Sequence, residues 1–118
     1  MLQRPSHLSS IHETLRDGIL DLVTSAEPPR TRLTAFVRTR LQKVPVAAFD
    51  DAGARAWLER LLHRMTSVTP RDERSPVSAT VAEMSDEEID DTLIEIVAFY
   101  EEVTRLDTHH AIRRRIEA

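Results

Sequence analysis

Apolar residues recur at helical spacing along most of the chain. Ile11, Leu15, Ile19 and Leu22 fall on one face of a first helix. Ser10, with Glu13 three residues on, reads as the capping box that starts it. Gly18 borders the apolar face, where a missing side chain lets another helix approach or weakens the helix by about 1 kcal/mol. The segment SAEPPR ends the pattern, because proline cannot continue a helix. A second helix is predicted from about Thr31 to Lys43, with Leu33, Phe36, Val37 and Leu41 inward and Arg40 projecting between them. The third starts at Asp50 or Asp51 and runs to about Val68. Its face of Ala54, Trp57, Leu58, Leu61, Leu62, Met65 and Val68 is the widest in the chain. Trp57, the sole tryptophan, is the expected largest burial.

The period then lapses. Residues 69–84 contain Pro70 and Pro76 and read as a long connection, with a brief extended piece over Val77–Val81. Ser85 and Glu88 repeat the capping box and open a fourth helix. Ile89, Leu93, Ile96, Tyr100 and Val103 lie within about 40° of Ile89 on its wheel. A short last helix is expected from Asp107 or Thr108, with Ile112 and Ile116 as a narrow stripe. The expected fold is all-α, a small antiparallel bundle of four helices plus a short C-terminal helix, in a single domain over residues 1–118.

Composition narrows the functional classes. With two glycines, Gly18 and Gly53, the chain lacks the turns of a β-rich fold and the loop that cradles a phosphate. With no cysteine it has neither disulfides nor thiolate metal sites. The opening residues, MLQRPSHLSS, lack the apolar run of a signal peptide, and no stretch reaches about 20 apolar residues, so the default is a cytoplasmic chain with no membrane contact. Fifteen arginines against one lysine, Lys43, fit the codon usage of a GC-rich, bacterial genome.

Charge changes the picture more. The net charge is −4, but residues 81–107 carry ten anions and one cation. Residues 1–49 carry seven cations and four anions, and residues 108–118 three cations and one anion. Such asymmetry points to contact between basic and acidic regions, within one chain or between copies. Asp91, Glu95 and Glu102 fall about 200° to 240° from Ile89, away from the apolar face. That direction, and the lack of any Glu-x-x-His, argue against a buried carboxylate metal centre. The plain reading of the stripe is a solvated face; the functional one is a docking face for arginines of a protein partner or a second copy. Ile94 lies among these acids, where the core does not reach, and serves as the apolar anchor of that reading.

Other chemistry has less support. None of the five histidines has zincin spacing, and His109 and His110 beside Asp107 are the best placed of them for a metal. No cofactor is implied. Neither G-x-S-x-G nor a reactive cysteine is present, so nucleophilic catalysis is not expected. The alternative is a small DNA-binding regulator using Arg32, Arg38, Arg40 and Lys43 of the second helix with Arg113, Arg114 and Arg115. Against it, these cations scatter round the wheel, and the sequence pI is near 5.7.

Overall fold

The computed structural model describes residues 7–117; the first six residues, the larger part of the opening segment MLQRPSHLSS, and Ala118 lie outside the described residues. The chain is all-α. Five helices follow in order: α1 (His7–Thr24), α2 (Pro29–Thr39), α3 (Ala52–Met65), α4 (Pro76–Glu83) and α5 (Asp86–Glu117). Two 3₁₀ turns, Leu41–Lys43 and Val46–Ala48, join α2 to α3. No strand is present among the described residues.

The local rules explain most boundaries. Asp51 caps α3, its carboxylate accepting from the Ala54 amide at 2.8 Å. Pro29 and Pro76 occupy first-turn positions of α2 and α4, where a missing N–H costs nothing. Ser75 caps α4 by accepting from the Ser78 amide at 3.1 Å.

Four expectations about the helices shift. The second helix ends at Thr39 rather than Lys43, and Lys43 lies in the 3₁₀ turn that follows. Ser10 and Glu13 lie inside α1, because the helix already includes His7, and the Ser10 carbonyl accepts from the Thr14 hydroxyl. Within residues 69–84, read as a connection with an extended piece at Val77–Val81, Pro76–Glu83 is helical. Its burial of Val77, Ala79, Thr80 and Val81 comes from packing between α2 and α3, which overrides the weak helical preference of valine and threonine. The expected short last helix is the end of α5, which runs unbroken through Asp107. No proline or glycine follows Ser85, and alanine, arginine and glutamate propagate a helix well. Asp107 faces α1 instead of capping, 3.8 Å from Nδ1 of His12.

The core is one cluster to which every helix contributes. Of the inward positions expected from the sequence, Ile11, Leu15, Leu22, Leu33, Phe36, Val37, Leu41, Ala54, Leu58, Leu61, Met65, Ile89, Ile96 and Val103 are buried. Ile19, Trp57, Leu93 and Tyr100 pack against them half-buried. The largest fully buried side chains are Phe49 and Phe99, so Trp57 is not the central burial. Phe99 takes Phe49 and Trp57 edge-on, with ring centroids 6.0 and 5.3 Å away. Leu41, Val44 and Phe49 drive the irregular 41–49 stretch inward, which the helical period could not register.

Polar contacts also bridge the helices. Nη1 of Arg30 donates to the Val81 carbonyl at 2.6 Å and Nη2 to Asp86 at 3.0 Å, tying α2 to the end of α4 and the start of α5. Thr80 accepts from the Val68 amide at 3.1 Å and donates to the Pro76 carbonyl at 2.8 Å. On the other side of the molecule, α1 lies along α5. His12 stacks on Tyr100 at 5.4 Å and its Nε2 lies 3.0 Å from the Thr104 hydroxyl. Near the other end of α1, Leu22 lines a depression together with Leu93 and Ile94, so the two helices run in opposite directions.

Candidate interaction surface

The start of α5 is built for negative charge. The Ser85 amide donates to Oε1 of Glu88 at 3.0 Å, and the Glu88 amide donates to Oγ of Ser85 at 3.1 Å. These bonds hold the Glu88 carboxyl below the usual carboxylate range, the Ser85 amide contributing most. Asp86, Glu87 and Glu88 occupy the first turn, at the positive end of the helix dipole.

Beyond that turn the helix presents two different flanks. One borders a groove of about 430 Å³ between α3, α4 and α5. Glu83, Glu88, Asp91 and Glu95 line it, with Arg64 as the single cation on its wall. Arg64 forms an ion pair with Glu95, which is half-buried. The other flank is apolar. Leu22, Leu93, Ile94, Val97 and Ala98 line a shallow depression, with Glu101 also on its wall. Ile94 is 68% exposed and Val97 38%. Val23 of α1 lies eleven residues beyond His12, three helical turns to within about 20°, so it shares the α1 face turned toward α5.

The four residues singled out from the sequence therefore do not form one surface. Asp91 and Glu95 share the acidic groove, and Ile94 centres the adjoining apolar flank. Glu102 sits apart, half-buried, and accepts from Nε of Arg105 at 3.1 Å. The Arg105 guanidinium holds the Glu102 carboxyl below its usual range, against burial and the nearby Asp51 carboxylate. Asp91 and Ile94 are open to solvent; Glu95 and Glu102 already hold arginines of their own chain.

The basic residues divide as well. Arg32 donates to the Leu22 carbonyl at 3.1 Å, and Arg40, just past the end of α2, reaches Asp21 at 3.1 Å. Both are turned to α1. Arg38 and Lys43 line an open groove on the opposite side of α2, together with Arg30 and residues of α4. Arg113, Arg114 and Arg115 lie at the far end of α5. His109 and His110 line a cleft with His7, Asp50 and Asp51 at the root of that end. Among the described residues no group of three or more histidines or carboxylates is arranged to hold a metal ion. No described helix is long and apolar enough to cross a membrane.

Sequence reasoning missed Arg64, Glu83 and Val97. Arg64 and Glu83 join the groove only through the packing of α3 and α4 on α5. Val97, one turn from Ile94, was legible on the same wheel. Comparison with protein-family models, with curated proteins and with solved structures finds no match.

Proposed function

We propose that the chain is a non-enzymatic interaction module, a regulatory or accessory subunit or self-associating adaptor, that receives another protein or a second copy on the outer side of α5. The observation that carries this reading is Ile94. It stands 68% exposed in mid-helix, beside Val97 and between the carboxylates Asp90, Asp91 and Glu101. An apolar centre inside a charged rim is the anatomy of a protein-docking patch. The rim favours a basic partner and steers its approach. Glu95 and Glu102, held by Arg64 and Arg105 of their own chain, lie outside this patch.

The test is an Ile94→Glu variant. Its helicity should match that of the parent chain, because the side chain touches solvent, while quantitative capture of partner from the host falls at least tenfold. Unchanged capture removes the patch from consideration.

A second reading, a small DNA-binding regulator, rests on Arg38 and Lys43 sharing an open groove, with the arginine run 113–115 as a further contact. It predicts binding of labelled duplex that weakens steeply with salt and is lost on reversing Arg38 and Lys43 to glutamate.

A further inference from the structure

The last ten described residues of α5, 108–117, are all exposed, and the helix carries them beyond the body. Thirty-two residues of helix span about 48 Å, against extents of 52 × 27 × 23 Å for the whole molecule. This extension is 49% exposed at Ile112 and 79% at Ile116. A helical end of this length gains little from its own hydrogen bonds in water, so a covering surface would stabilise it.

Ile112 is eighteen residues from Ile94, which is five complete helical turns, or about 27 Å. The two isoleucines therefore lie on one line along α5, on the side opposite the buried Ile89, Ile96 and Val103. The charges along that line are reversed end to end: Asp90, Asp91 and Glu101 surround the inner isoleucine, and Arg113 and Arg115 flank the outer one.

We infer that the occupant of the α5 face is a second copy of this chain, paired antiparallel through α5. With the two-fold axis at the level of Val103 but on the outer side, between Glu101 and Arg105, Ile94 of each copy meets Ile112 of the other. The same register brings Asp90 and Asp91 to Arg115 of the second copy. Each copy supplies both the acidic and the basic half, so the interface is self-complementary, as a two-fold requires. The apolar pair supplies burial and the charges fix direction, since a parallel pairing would set acid against acid. This inference rests on the proposed reading of α5 as a docking face and names its partner.

The chain has no cysteine, so single cysteines report the register cleanly. Light scattering of the parent chain should show twice the 13.5 kDa chain mass, declining as salt is raised. A mixture of Ile94→Cys and Ile112→Cys chains should cross-link under mild oxidation, while either variant alone should not, its thiols being about 27 Å apart across the pair. Arg115→Glu should raise the dissociation constant at least tenfold, and adding Asp90→Arg and Asp91→Arg should restore it. Arg115 is exposed near the helix end, so circular dichroism should not change. A single-chain mass at millimolar concentration overturns the inference, as does efficient cross-linking of Ile94→Cys with itself. If the mass is that of one chain and Ile94→Glu still abolishes capture, the docking face stands and its partner is a different protein. If Ile94→Glu leaves capture unchanged as well, both readings fall.

Discussion

A Cβ built on Gly18 would lie 2.7 Å from Cε2 of Phe36, closer than such atoms pack. The glycine is therefore where α1 and α2 touch, and the absence of a side chain sets their separation. Its other near neighbour, Cγ of Arg40 at 2.6 Å, lies near the root of a side chain whose guanidinium is tied to Asp21, so it gives little room. The Phe36 ring is 4% exposed and cannot move aside either. Gly18→Ala should gain about 1 kcal/mol in helix propensity and lose about 1–3 kcal/mol to overpacking. A net loss is expected. Urea denaturation decides it, and a more stable variant would mean that the contact relaxes.

Phe99 matters more than Trp57. Phe99 is 1% exposed and contacts both other rings, whereas Trp57 is half-buried. Phe99→Ala should cost about 3–5 kcal/mol and Trp57→Ala clearly less, since part of the indole already meets water. Thermal melts of the two variants give the order directly.

Arg30 joins three helices through two hydrogen bonds. Arg30→Met keeps the apolar stem but leaves the Val81 carbonyl without its donor, at a cost of about 1–3 kcal/mol. Because α4 is short, the loss should appear first as faster amide hydrogen exchange over Pro76–Glu83, with α3 and α5 still protected.

Acid should loosen the start of α5. Folding lowers the Glu88 pKa, so its contribution is fully present above the ordinary glutamate value of about 4.3 and fades as pH falls through the lower folded value. Glu102 behaves in the same direction through Arg105. Denaturation midpoints measured from pH 6 to pH 3 should fall less steeply for Glu88→Gln than for the parent chain. Ser85→Ala, which removes the other half of the capping box, should cost about 0.5–2 kcal/mol at neutral pH.

How much of this was legible beforehand follows from the range of each force. The helical period of α1, α3 and α5 and the caps at Asp51 and Ser85 are written in residues within four positions of one another. Local sequence therefore determined the all-α class, most of the core and the outward position of Asp91 and Ile94. The helix at Pro76–Glu83 depends on neighbours far along the chain, because its valines bury only once α2 and α3 are in place. Capture of Glu95 by Arg64 spans 31 residues, and that of Asp86 by Arg30 spans 56. No periodicity encodes such separations. The sequence determined which side chains avoid water; the tertiary structure alone decided which carboxylates stay free to meet another molecule, because a charge is silenced by whichever arginine packing brings within reach.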